Sequence, residues 1–181
     1  MAFGIDPHSQ SIGDVLISKS LVFYDHFNKV TDGEMVLKPQ EVYQISTDIT
    51  SQVHQIDLPD PPKNVGTFRW HSGSILTGGT VLSDATEKAK LISAAKRTGY
   101  TIIGGEMEAS GIYYACQKVK NRSIPFLVIK GICDWGAEKN AWKEVIDSNL
   151  DGESIKNAVQ AYACDNAYDS MCFILSQLNM E

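Results

Sequence analysis

Gly104-Gly105-Glu106-Met107-Glu108-Ala109-Ser110-Gly111 and, one helix's worth of sequence later, Phe126-Leu127-Val128-Ile129-Lys130-Gly131-Ile132-Cys133-Asp134-Trp135 carry the fold of this chain. Each acidic station follows an apolar run. Tyr100 to Ile103 is short and β-prone, Met107 to Val119 repeats apolar residues every three or four positions, and Ile124 to Ile132 is almost continuously aliphatic. That order reads strand, helix, strand. A continuous aliphatic strand belongs in a sheet covered on both faces. A right-handed crossover would make the strands ending at Gly105 and Ile132 parallel, with their carboxyl ends on one edge. Glu106, Glu108 and Asp134 would then share one crevice at the sheet edge where open α/β folds bind ligands.

Working outward, Asp84-Ala85-Thr86-Glu87 has the spacing of an N-cap and its reciprocal Glu, and Ala89, Leu91, Ile92 and Ala95 follow at helical intervals up to Gly99. A helix is predicted over about 84–98. Thr67 to Leu76 alternates as a strand, and Thr77-Gly78-Gly79-Thr80 ends it with backbone freedom beside the crevice. Ile12 to Tyr24 is rich in β-branched and aromatic residues and predicts strand. Residues 25 to 66 read as irregular, with a short element near 40 to 55, and a polar loop spans 133 to 152. A closing helix over about 154–177 carries Ile155, Val159, Tyr162, Ala163, Phe173 and Ile174. These elements predict a single α/β domain over residues 1 to 181, its sheet mostly parallel and flanked by helices.

Composition narrows the function. The 181 residues are 43% hydrophobic and 21% charged, ordinary for one globular domain. A formal net charge of −6 argues against a nonspecific grip on nucleic acid, which needs clustered cations. Lys118, Lys120 and Arg122 fall where a helix would end, and there they complement its dipole. No apolar run approaches the ~20 residues of a membrane span, and Met1 to Asp6 lacks the pattern of a signal peptide, so a cytoplasmic protein is expected. Cys116, Cys133, Cys164 and Cys172 form no CxxC pair and read as buried free thiols. His8, His26, His54 and His71 are scattered without metal-ligand spacing, so no metal or cofactor is expected. Trp142 reads as packing.

The chemistry lies in the carboxylates. One carboxylate accepts two hydrogen bonds at once, which suits the vicinal hydroxyls of a ribose. Glu108, in a tight turn, is placed for that. A second carboxyl in a dry pocket can protonate a purine nitrogen or hydrogen-bond it, and Asp134 between Cys133 and Trp135 has that neighbourhood.

Gly-Gly-Glu-Met-Glu-Ala-Ser-Gly with Val-Ile-Lys-Gly-Ile-Cys-Asp-Trp, preceded by Ser74-Ile75-Leu76-Thr77-Gly78-Gly79, resembles the nucleoside phosphorylase superfamily. The likeness is to its methylthioadenosine/S-adenosylhomocysteine nucleosidase branch, and it extends to Ala2–Asp6 and Ile12–Ser18. It implies a mixed sheet of the phosphorylase/hydrolase type. It implies that Met107 packs beneath a ribose, that Glu108 binds its hydroxyls, and that Asp134 serves as acid or hydrogen-bond partner to the purine. Glu106, Cys133, Trp135, Gly78 and Gly79 would complete the ligand shell. Cys133 stands where the family has Ser, and Gly79 where it often has a polar residue. The family's first strands, with a phosphate-binding Gly-rich segment and a water-positioning acid, have no counterpart in the 181 residues, so the domain reads as shortened at its front.

Two classes of function follow from the resemblance. One is a protein that binds a purine nucleoside or nucleotide with weak or no turnover, sequestering or sensing it. The other is a nucleosidase or phosphorylase whose site is completed by an oligomeric partner. A shortened sheet with a long exposed edge would favour a homo-oligomer on either reading.

Overall fold

The computed structural model describes residues 1–26, 28–29, 35–36, 42–45, 47–56, 68–119, 124, 126–136 and 152–178. In chain order they form β1 (Ala2–Phe3), β2 (Val15–Phe23), a 3-10 turn at Tyr24–His26, β3 (Asn28–Lys29), β4 (Met35–Val36), β5 (Val42–Gln44) and α1 (Thr47–Gln55). Next come β6 (Trp70–Thr77), α2 (Ala85–Arg97), β7 (Ile102–Glu106), α3 (Ala109–Lys118), β8 (Ile129–Asp134) and α4 (Gly152–Gln177). Six strands make one mixed sheet in the order β5-β2-β6-β7-β1-β8, and β8 also pairs with β2, so five of them close into a ring.

The ring corrects one expectation. β1 pairs antiparallel with β7 through Phe3 and Gly105, and parallel with β8 through Ala2–Ile132 and Phe3–Asp134. β7 and β8 are therefore antiparallel to each other, not parallel, and two strand spacings separate them. The crossover rule holds for parallel strands of one sheet, and here β8 instead closes the ring by running antiparallel to β2. Among the described residues, parallel pairing is confined to β2 with β6, β6 with β7, and β1 with β8. Closure also removes the long open edge that suggested oligomerisation, since β1 and β8 each carry partners on both sides.

β2 shows how the sequence produces this shape. Up to Ser18 its side chains alternate between Val15 and Ile17, which pack with Val53, Phe68 and Ile174, and Leu16, which packs with Ile75 and Ile132. The register with β6 then slips between Ser18 and Ser20, leaving exposed Lys19 without a partner in the ladder. One extra residue reverses the alternation. Beyond it Leu21 and Phe23 join the Leu16 cluster, while Val22 and Tyr24 pack under α2 against Leu91, Ala94 and Ala95. The slip lets one strand pair with β8 along its first half and with β5 along its second. Ser20 and Ser74 hydroxyls satisfy each other at 2.7 Å inside the sheet.

The helices begin where their chemistry says. Asp84 caps α2, its Oδ1 accepting from the Thr86 and Glu87 N–H groups at 2.7 and 3.0 Å. Glu87 turns its carboxylate to Lys90, 3.1 Å away. α4 lies so close to β8 that a Cβ on Gly131 would run into the Ala163 carbonyl. Asn166 Nδ2 donates to the Gly13 carbonyl at 2.9 Å, and Trp70 Nε1 donates to Ser170 Oγ at 2.7 Å. The aliphatic strand is shorter than expected, covering 129–134, and Val128 just before it meets β2 at Ser18, its N–H donating to Ser18 Oγ and its carbonyl accepting from the Ser18 N–H, both at 2.9 Å. Cys133 is buried, Cys116 is partly so, and Cys164 and Cys172 are exposed on α4, against the expectation of four buried thiols. Trp142, Lys120, Arg122 and most of the 133–152 loop lie outside the described residues. No helix among the described residues is long and apolar enough to cross a membrane.

The contact at Gly131 sets a test. Gly131→Ala forces backbone apart and is expected to destabilise by roughly 3 kcal/mol or more, whereas Gly152→Ala, with open space around it, stays within about 1 kcal/mol. Urea unfolding of both variants measures the difference.

Candidate functional site

β6 and β7 run parallel, so Thr77 and Glu106 stand side by side at their carboxyl ends. Glu106 is only 2% exposed. Its Oε2 accepts from the backbone N–H groups of Glu108 and Ala109 at 2.9 and 2.8 Å, and the Lys130 ammonium lies 3.3 Å from the same oxygen. Thr77 Oγ1 accepts from the Ser110 N–H at 2.9 Å. Two strand ends thus hold the first turn of α3, whose free N–H groups and positive dipole end favour an anion there. Glu106 Oε1 is enclosed with no hydrogen-bond partner among the described residues.

Lys130 also meets Glu108, with Nζ to Oε2 at 2.5 Å. Burial alone would push the Glu108 carboxyl upward, but the Lys130 hydrogen bond and charge outweigh it and hold that carboxyl below its ordinary range. Burial likewise works against the Lys130 ammonium, and the hydrogen bond it donates to Glu108, with the charges of Glu106 and Glu108, reverses the effect and raises it. The Glu108 side chain is 62% exposed, so this pole opens to solvent. Met107 beside it is partly exposed.

Asp134 stands on the other side of β1. Its Oδ1 accepts from the Gly136 N–H at 2.7 Å, and its Oδ2 accepts from the Cys133 thiol at 3.7 Å. Burial and then the Asp134 charge push the Cys133 thiol up to about 11, so it is a donor rather than a thiolate. Trp135 is buried against Gly4, and its carbonyl accepts from Lys88 Nζ at 2.7 Å.

The glycine pair after β6 is committed to neighbours. Gly78 packs on the Tyr24 ring, the Tyr24 hydroxyl donates toward the Gly78 and Thr80 carbonyls, and the Gly79 N–H donates to Asp25 Oδ2. Burial, then Asp25, Glu106 and Glu108, push the Tyr24 phenol well above its ordinary value. Next to it Tyr24, Asp25, residues 80 to 84, Glu87 and Leu91 line a cavity of about 350 Å³. Gly136 brings the Asp134 turn against this loop, a Cβ there lying 3.6 Å from the Leu82 carbonyl.

The structure therefore gathers Glu106, Glu108 and Met107 at one pole, and Asp134, Cys133 and Trp135 at another, with Gly78 and Gly79 behind the cavity. It does not bring Asp134 against the glutamates. Lys130, Tyr24 and Asp25 have no role in the sequence reading. A lone cation inside an aliphatic run was the available signal for Lys130, while nothing local marks Tyr24 or Asp25.

Comparison with known proteins bears on the family and the fold. The model of the phosphorylase superfamily matches residues 2–163, and no curated protein matches the chain. Among solved structures, the chain is similar to 5'-methylthioadenosine/S-adenosylhomocysteine nucleosidase from Colwellia psychrerythraea in complex with adenine, with a TM-score of 0.68 and 20% identity over 98% of this chain and 64% of that one. The Streptococcus pneumoniae nucleosidase with a transition-state inhibitor gives a TM-score of 0.66 at 20% identity, covering 98% and 67%. Futalosine hydrolase of Helicobacter pylori gives 0.63 at 16%, covering 98% and 66%. The mixed sheet with its flanking helices is the fold of these proteins, and the chain spans about two thirds of their length.

Two tests follow from the charged pole. Lys130→Met strands the Glu106 charge in the interior and is expected to cost roughly 3–5 kcal/mol, part of which a Glu106→Gln, Lys130→Met double variant recovers, both read by urea unfolding. Glu108, held low in the folded chain, contributes stability above its unfolded value that is lost as pH falls through the folded one. Glu108→Gln is therefore expected to remove about 0.2–1 kcal/mol at pH 7 and nothing near pH 2.

Proposed function

Since the chain belongs to the phosphorylase superfamily, we propose that it binds a purine nucleoside, or a nucleotide built on one, with the ribose at Glu108 and the base at Asp134. The observation that carries this reading is the pairing of Phe3 with Gly105 on one side and Asp134 on the other. It sets the backbones of Gly105 and Asp134 two strand spacings apart, roughly 10 Å, with Glu108 three residues past Gly105, a separation a nucleoside spans and a free sugar does not. Met107 would pack beneath the ribose, and Lys130 and Glu106 hold Glu108 and its turn in place. Asp134 takes donors on both oxygens. That is the posture of an acceptor for ring or amino N–H groups rather than of an acid delivering a proton.

Turnover is then weak or absent, and the protein holds its ligand intact. An oxocarbenium-like cleavage needs a leaving-group acid and a nucleophile on opposite faces of the sugar, and no described residue is assigned to the second role. One observation favours the alternative, cleavage of the N-ribosyl bond with the site completed by a second copy of the chain: nucleosidases share the fold over 98% of this chain. A homo-oligomer is part of either reading, and the exposed Tyr168, Met171 and Leu175 on one face of α4 are the surface it would use.

Incubation with adenosine, inosine and methylthioadenosine, with and without phosphate, separates the two readings. Recovery of intact ligand with thermal stabilisation supports binding, and sustained release of free base supports cleavage. Adenosine at a hundred times its dissociation constant stabilises a binder by about 2.7 kcal/mol. Glu108→Ala should abolish that gain, and an unchanged gain removes Glu108 from the site.

A further inference from the structure

We propose that the outer face of α3 is a self-association surface, on which a second copy of this chain packs its own α3 antiparallel and sets the partner's Lys118 against Glu108. The contact is read without any ligand, and only its place beside a ribose pole rests on the nucleoside reading above. α3 turns a narrow stripe inward. Ala109 is its one buried residue, and Tyr113, one turn on, packs its ring among Phe23, Tyr43 and Phe126. The opposite stripe, Gly111, Ala115 and Lys118, is exposed, with Ile112 at 51% and Val119 at 44% exposure along one side of it. From Ala109 to Gln117 the helix carries no charge. Apolar residues on every side mark a helix that is covered, and this chain covers one side.

The area is that of an interface rather than of scattered surface residues. Met107, Ile112, Tyr114, Val119 and Ile124 are half of the ten large apolar residues exposed among the described ones. Together they open on the order of 400 Å², the size of the largest patch on many monomers and half of what one partner brings to a standard interface. The stems of Glu108 and Lys118 and the open backbone at Gly111 extend it to the smaller class of specific contacts.

Three features point to a second copy as the occupant. Glycine weakens a helix relative to alanine, and a Cβ on Gly111 would meet nothing in this chain. What a bare position there permits is the close approach of another helix, which Ala115, one turn on, permits as well. An isologous contact sets one patch against itself, so a face without charges has nothing with which to repel its own copy. An antiparallel crossing midway between Gly111 and Ala115 also brings residue 108 level with residue 118 of the other helix. Each acidic N-terminus then meets a basic C-terminus, twice per dimer, and each helix dipole end faces its opposite.

This surface is separate from the exposed stretch of α4. Ile174 on that helix packs with Val15 and Ile17, and Ile17 pairs with Ile129 at the start of β8. Tyr168, Met171 and Leu175 therefore lie toward the end of β8 away from Asp134, whereas the α3 contact borders Glu108.

The test is sedimentation equilibrium of the purified chain without ligand. The wild type is expected to form a concentration-dependent dimer. Gly111→Leu and Ile112→Glu are each expected to raise its dissociation constant by about tenfold or more, with the helical signal in circular dichroism retained. Lys118→Glu is expected to weaken it roughly three- to tenfold, and Glu108→Gln in the same chain to recover part of that loss. A monomeric wild type, its α3 covered by another polypeptide or by none, overturns the proposal. So does a dimer that Tyr168→Glu dissolves while Gly111→Leu and Ile112→Glu leave it intact, and so does one that Lys118→Glu leaves unchanged. If Ile112→Glu does not fold, Gly111→Leu is judged alone, because its side chain enters open space. Adenosine plays no part in these readings, so a failure of the nucleoside proposal leaves the α3 contact standing.

Discussion

A carboxylate closed off from water has to collect positive partners, and Glu106 collects them from two elements. It ends β7, receives the first N–H groups of α3, and draws in Lys130 from β8. Burying a charge without partners costs far more than any single packing contact contributes. The start of α3 and the position of β8 are therefore not independent choices. Once Glu106 is buried, Lys130 must lie close to it, and the exposed Glu108 is then held through the same ammonium. The polarity of the site follows: one oxygen-rich pole with a fixed cation inside and a carboxylate facing solvent.

This arrangement explains why the local chemistry was legible while the route between its parts was not. Glu106, Met107 and Glu108 fall in one turn, so sequence proximity alone brings them together. The N-cap at Asp84 and the helix it starts are also local, and the observed helix over Ala85–Arg97 agrees closely with the spacing. Asp134 is different. Its relation to Glu108 depends on which strand stands between β7 and β8, and that strand is Ala2–Phe3, two residues with no periodicity to read. A crossover rule applied to neighbouring segments assumes that nothing is inserted. Here a short strand is inserted and the sheet curls until β8 meets β2, which reverses the direction of β8 relative to β7.

The same curl rests on a feature of β2 that has no signature of its own. Ser18, Lys19 and Ser20 look like a polar interruption in a strand. In the folded chain Lys19 is the extra residue of a bulge, and the hydroxyls on either side bond inward, Ser18 to the Val128 N–H and Ser20 to Ser74. Small polar residues tolerate burial only when such partners are present. Sequence shows the residues, but the partners lie 54 and 110 positions away. Lys130 was readable only in outline for a related reason. A cation inside Leu127-Val128-Ile129-Lys130-Gly131-Ile132 needs a buried anion, and choosing Glu106 over every other acid required the ring.

A site divided into two poles has different consequences from a single crevice. In one crevice, acid and ribose clamp act on neighbouring atoms, and loss of either weakens the same contact. With β1 between them, each pole is built separately: Glu108 through Lys130 and the α3 turn, Asp134 through Gly136 and Cys133. Neither set of hydrogen bonds includes a residue of the other. The backbone of Phe3 touches both strands, and the Met1 ammonium beside it feels Lys130 and Glu108 on one side and Cys133 on the other. A ligand long enough to engage both ends would therefore couple two clusters whose hydrogen bonds are separate.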